Sequence, residues 1–113
     1  MKTIITRSGA FRTGTEIADA VTAYALALAR VRALDVVDIP FLTRDGSVRR
    51  AQFRIGWQVE TAVTSDERPE DELMEVDTIL DLIGKSRSAT LSRDAGVRGG
   101  SVAAHDTNWD EFI

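Results

Sequence analysis

Between Arg49 and Val63 the chain switches polarity at almost every residue. Odd positions carry Ala51, Phe53, Ile55, Trp57, Val59, Thr61 and Val63, while even positions carry Arg50, Gln52, Arg54, Gly56, Gln58, Glu60 and Ala62. Side chains of a β-strand alternate between its two faces, so a period of two dictates a strand with one dry face and one wet face. A helix would scatter these apolar residues around its whole circumference. The run exceeds the usual strand length of about 3–10 residues. Gly56, near its middle, marks the place for a bulge or a bend.

An isolated strand cannot bury its dry face, so partners must be found nearby. Val36 to Thr43 reads as a second strand, joined to the long one through Arg44-Asp45-Gly46. Cross-strand partners share a face, which forces partners of equal parity. A three-residue loop meets that demand: it pairs Thr43 with Ser47, Ile39 with Ala51 and Val37 with Phe53, and puts Gly46 where a left-handed residue is wanted. Pro40 cannot donate to a ladder, so the Val36–Thr43 strand is expected at an edge and the long strand at the centre of the sheet. The hairpin uses the long strand only to about Ile55. The remainder, Trp57 to Val63, needs another antiparallel partner, either the β-branched run at residues 2–6 or a strand of a second subunit.

Two segments carry helical periodicity. Thr13 and Glu16 have capping-box spacing, and Ile17, Val21, Tyr24, Leu28 and Val31 form a stripe, predicting a helix over about 14–34 after a loop at Ser8–Arg12. Alanines between positions 18 and 33 widen its apolar arc, so both of its sides are expected to be covered. Pro69 and the acids around it suit the first turn of a second helix. Leu73, Val76, Ile79, Leu80 and Ile83 are its apolar stripe, and Gly84 followed by Lys85 is its expected stop. Beyond it Leu, Ile, Val and Phe become scarce: 25 of residues 1–84 but only 5 of residues 85–113. The expectation is one α+β domain at 1–84, a two-layer sandwich of order strand-helix-strand-strand-helix with a small, mainly antiparallel sheet, and a polar, flexible C-terminal tail at 85–113.

Composition narrows the functional classes. With no cysteine among 113 residues, thiolate chemistry and disulfides are excluded. No apolar run approaches the ~20 residues of a membrane span, and residues 1–7 lack a signal-like apolar stretch, so a cytoplasmic protein without a membrane partner is expected. The net charge of −4 is unevenly spread: residues 1–64 carry +3, residues 65–84 carry −7 and residues 85–113 carry zero. Overall acidity disfavours nonspecific nucleic-acid binding.

No segment satisfies a catalytic, metal or cofactor motif. Gly9 to Gly14 has the outline of a phosphate loop, but Thr15 and Glu16 stand where Lys and Ser or Thr are required, so it reads as a loop entering a helix. His105, the sole histidine, lies in the predicted tail and has no orienting partner but Asp106. The acids from Asp66 to Asp81 lack the calcium-loop pattern and read as a solvated helix face. Two surfaces remain. The tail ends in Trp109, Asp110, Glu111, Phe112 and Ile113, aromatic anchors beside acids that would suit docking to a protein partner or packing back on the domain. The hairpin carries Arg44, Arg49, Arg50 and Arg54, an array that could read nucleic acid or another polyanion, or simply guard a wet strand from aggregation. The leading expectation is a non-enzymatic protein–protein interaction or assembly module. It would self-associate through the sheet or the first helix, with a dimer favoured, and dock a partner through its tail. Polyanion binding is the alternative, an enzyme comes third, and no cofactor is expected.

Overall fold

The computed structural model describes residues 1–66 and 72–99. Seven elements follow in order: β1 (Lys2–Thr6), β2 (Gly9–Thr13), α1 (Thr15–Arg30), β3 (Leu34–Leu42), β4 (Val48–Gly56), β5 (Ala62–Ser65) and α2 (Val76–Gly99). The strands form one antiparallel sheet in the order β4-β3-β2-β1-β5, and the two helices make up the layer over its buried face, giving a mixed α+β fold.

The β3–β4 hairpin has the register that parity demands. Ile39 pairs with Ala51 and Val37 with Phe53. The turn closes through the Thr43 N–H to the Ser47 carbonyl at 2.9 Å and the Gly46 N–H to the Thr43 carbonyl at 3.1 Å, with Gly46 at φ 87°. Val37, Ile39, Ala51, Phe53 and Ile55 are buried on one face. Facing them on α1 are Ile17, Val21, Tyr24 and Leu28, the stripe expected from sequence.

The long alternating run is two strands, not one. At Gly56 the backbone takes φ 121°, the Trp57 N–H donates to the Ala33 carbonyl at 3.0 Å, and Gln58 adopts φ 60°. A Cβ on Gly56 would fall 2.4 Å from the Ala33 carbonyl oxygen, so only glycine fits where β4 leaves the ladder. The chain then crosses to the far edge of the sheet, where β5 lies antiparallel to β1 with Ile4 opposite Val63. Pairing of the run's second half with residues 2–6 is therefore observed, but across the sheet from its first half.

This rearrangement also corrects the strand order: β4 is an edge and β3, which carries Pro40, is interior. Antiparallel ladders alternate bonded and non-bonded pairs. The bonds at Thr43–Ser47 and Ala33–Trp57 set the odd positions of β3 as the bonded ones, so Pro40 turns its missing donor away from β4, toward β2. There the ladder is reduced to a single pair, Arg12 with Leu42. Across this seam the wholly buried Thr13 hydroxyl satisfies the Pro40 carbonyl, donating to it at 2.8 Å. So loose a seam lets the two hairpins fold over each other. In a flat sheet β2 and β4, with β3 between them, would lie about 10 Å apart. Instead Phe11 of β2 stacks on Phe53 of β4 with centroids 5.3 Å apart and meets Phe41 edge-on at 5.3 Å.

Four further expectations are corrected. Residues 9–13 are β2, hairpinned to β1 through Thr6, whose hydroxyl accepts from the Ser8 N–H at 3.1 Å. No capping box forms: Gly14 is the N-cap of α1, Thr13 is committed to the β2–β3 seam, and the Thr15 N–H donates instead to Glu72 at 2.8 Å. α1 ends at Arg30, where Arg32 turns left-handed at φ 55°. Finally, α2 does not stop at Gly84 but continues helical to Gly99, through half of the segment expected to be a flexible tail. Ser, Ala and Arg sustain a helix even where large apolar residues are scarce. Residues 100–113 lie outside the described residues.

Candidate functional site

Of the described acids preceding α2, Asp66, Glu72 and Glu75 form ion pairs within the chain. Arg12 grips Asp66 through two bonds, 2.9 and 3.2 Å. Glu72 accepts from the Met1 ammonium at 2.7 Å, from the Thr15 N–H and from the Thr15 hydroxyl at 2.9 Å. These donors, the ammonium foremost, hold its carboxyl down to about 2. Glu75 accepts from Arg50 at 2.6 and 2.8 Å and from the Thr78 hydroxyl, and both hold its carboxyl below the usual range. These carboxylates tie the lead-in of α2 to the sheet and to the start of α1, rather than forming a plain solvated face. Among the described residues no group of acids or histidine has the geometry to hold a metal ion.

The hairpin arginines do not form one array. Arg50 is committed internally: besides Glu75 it donates to Asp38 Oδ1 at 2.8 Å and to the Asp38 carbonyl at 3.2 Å. Asp38 also accepts from Gln52 at 3.1 Å, which with Arg50 keeps its carboxyl below the ordinary value. Arg44 is exposed in the turn. Arg49, at an odd position opposite Phe41, belongs to the other face from Arg50 and Arg54. Arg54 lines a separate concavity of about 810 Å³ together with Arg7 of the β1–β2 turn and Arg32 of the α1–β3 turn. Phe53, Trp57, Gln58 and Glu60 contribute to the same walls. The sequence brings these residues from three distant stretches, and the folding of one hairpin over the other joins them, so no local motif announces the groove.

The second surface lies on α2. Sequence periodicity assigned Leu73, Val76, Ile79, Leu80 and Ile83 to its buried stripe. In the fold the helix is turned so that Leu82 is the residue wholly inserted against the core, with Ile79 and Ala89 packed partly beside it. Val76, Leu80, Ile83 and Leu91 are left 58, 61, 38 and 66 % exposed. With Arg87 they fall within about 80° on the helical wheel, a continuous stripe roughly 22 Å long. Leu26 of α1, also exposed, stands beside Leu91 across a shallow groove of about 480 Å³ between the helices. Asp77, Asp81 and Lys85 lie on the side of α2 that faces β3, with Lys85 paired to Asp81 at 3.3 Å, while Arg87 lies within the stripe itself. A Cβ on Gly84, at the centre, would meet nothing within 4 Å.

The remaining sequence candidates, Trp109, Asp110, Glu111, Phe112 and Ile113 with His105, lie outside the described residues. No described helix is long and apolar enough to cross a membrane. Comparison with protein-family models, curated proteins and solved structures returns no match.

Proposed function

We propose that the protein is an assembly module that self-associates through the exposed stripe of α2. The observation that carries this reading is a run of large apolar side chains left open along one helix while the adjoining face of the same helix is packed on α1. Contiguous exposed apolar surface of this kind is characteristic of interaction sites. A second copy is the occupant proposed, because two such stripes crossing antiparallel near Ile83 and Gly84 bury each other's apolar side chains along their whole length. Gly84 lets the backbones approach at the crossing.

The expected strength is modest. Burying the exposed half of four such side chains on each protomer contributes about 1 kcal/mol apiece, roughly 8 kcal/mol in total. Association costs at least about 4 kcal/mol in lost freedom. The surplus of about 4 kcal/mol corresponds to a weak dimer with a dissociation constant of about 1 mM, of the kind that multiplies in a larger assembly. The committed state of Arg50 lowers the rank of a polyanion site on the hairpin. Sedimentation or light scattering across a concentration series tests the reading: mass should rise toward the dimer for the native chain and stay monomeric for Leu80→Glu. A native chain that remains monomeric at millimolar concentration would end it.

A further inference from the structure

We propose that the groove between α1 and α2 is the docking site for a segment of the same chain, Trp109, Asp110, Glu111 and Phe112. Docking there leaves Val76, Leu80 and Ile83 of the α2 stripe open, so the inference does not rest on self-association. Its first ground is the shape of the groove. Leu26 of α1 and Leu91 of α2, both exposed, line about 480 Å³ together with the small side chains of Ala23 and Ala27. That volume lies within the ordinary range of ligand sites, about 300–1,000 Å³, and its apolar walls suit aromatic side chains.

The second ground is charge. Arg30 and Arg87 line the same groove, and no carboxylate does. Both are exposed, and among the described residues neither has a bonding partner. Guanidinium stays protonated at any physiological pH and offers carboxylates a planar fork of donors. The surface therefore matches an occupant that is aromatic in the middle and anionic at the rim. Of the residues outside the described ones, 67–71 carry acids but no aromatic ring, whereas 109–112 set two acids between Trp and Phe. Positions three apart share one side of a helical turn, so Trp109 and Phe112 can enter together while Asp110 and Glu111 stay at the rim.

The third ground is reach. α2 ends at Gly99, about 12 Å along the helix from Leu91. The chain from Gly99 to Trp109 extends to about 33 Å, so the segment returns to its own groove with slack. A short tether holds its end at an effective concentration of roughly 1 mM, so contacts of only millimolar strength keep the groove occupied about half of the time. Docked in this way, the tail is held on its own domain, and a partner that takes it must first draw it out of the groove.

The test is disulfide trapping in the full chain, which has no cysteine of its own. Thr90→Cys lies in the groove and Ile113→Cys adjoins the segment, so this pair leaves the four docking residues and both arginines in place. Thr64→Cys, on β5 at the far edge of the sheet, combined with Ile113→Cys is the control pair. Work at roughly 10 μM, about a hundredfold below the dissociation constant of the α2 dimer, keeps the chain monomeric whether or not it self-associates. The groove pair should close within one chain about tenfold faster than the control pair, the gain of docking over a tethered search. Arg30→Glu with Arg87→Glu should slow closure about tenfold, and adding Asp110→Lys with Glu111→Lys should restore it, since two exposed ion pairs are broken and remade. Equal rates for the two pairs, or closure unaffected by Arg30→Glu/Arg87→Glu, would each overturn the proposal. So would disulfides formed only between chains, which would assign the groove to the tail of a second copy.

Discussion

Replacing Gly56 with alanine tests the feature that decides this fold, the break in the long alternating run. Two costs fall on the variant. The backbone at φ 121° lies where only glycine is comfortable, and holding alanine there costs about 1–3 kcal/mol. The new methyl would also fall 2.4 Å from the Ala33 carbonyl oxygen and 3.2 Å from Leu28 Cβ. Relieving it means displacing the carbonyl that accepts the Trp57 N–H at 3.0 Å, and a partially buried group left without its partner costs a further ~1–3 kcal/mol. The total is about 2–6 kcal/mol, a large fraction of the stability of an ordinary domain. Gly46→Ala is the internal control. It too sits at positive φ, 87°, but an added Cβ meets nothing within 4 Å, so it bears only the left-handed strain of about 1–2 kcal/mol. Urea unfolding of both variants at one protein concentration gives the difference directly, with equal slopes required for the comparison. Gly56→Ala should lie about 2–3 kcal/mol below Gly46→Ala. Equal losses, or a neutral Gly56→Ala, would mean that β4 continues as a regular strand through this position.

Three further outcomes follow from single contacts. Thr13→Val keeps shape and burial but leaves the Pro40 carbonyl without its donor, and should cost about 1–3 kcal/mol in the same urea assay. Tyr24 is the one tyrosine of the chain, and burial together with its bond to Asp35 pushes its phenol well above the ordinary value of 10. Only the unfolded chain ionises near pH 10, so stability should fall as pH rises beyond it, and phenolate absorbance should appear together with unfolding instead of ahead of it; Tyr24→Phe should remove that part of the alkaline loss. Glu72, held at about 2 against 4.5, contributes stability that is complete above pH 4.5 and is lost as pH falls toward 2, so Glu72→Gln should flatten the acid limb of the stability–pH curve over that window.

The contrast between what was legible and what was not follows the range of the interactions. The β3–β4 register was readable because parity and Gly46 are local constraints that admit one solution. The α1 stripe was readable because Ile17, Val21, Tyr24 and Leu28 have one period and one neighbour to meet. The break at Gly56 was visible as a position but not as a reversal, since the turn is closed by Ala33, distant in sequence. Pro40 reads as an edge marker because a missing donor suggests an empty side; in the fold that side faces a seam of a single pair, Arg12 with Leu42, which leaves no local trace. Thr13 looked like a helix cap, and the cap came instead from Glu72. On α2 the apolar residues cover more of the circumference than one neighbour can bury, so sequence could not say which part packs on α1. The arginine groove needed the folding of one hairpin over the other before Arg7, Arg32 and Arg54 could share a wall.

Self-association through α2 is tested most directly by cross-linking, which the absence of cysteine makes clean. A disulfide requires Cα atoms within about 7 Å, so only residues near a two-fold axis can bridge to their own copies. In the antiparallel pair Ile83→Cys sits at the axis, while two copies of Val76→Cys stand about 22 Å apart along the helix. Mild oxidation should therefore give a covalent dimer from Ile83→Cys, none from Val76→Cys alone, and one from an equimolar mixture of Val76→Cys and Leu91→Cys. Cross-linking of Val76→Cys to itself, or of none of the three, would contradict an antiparallel α2 interface.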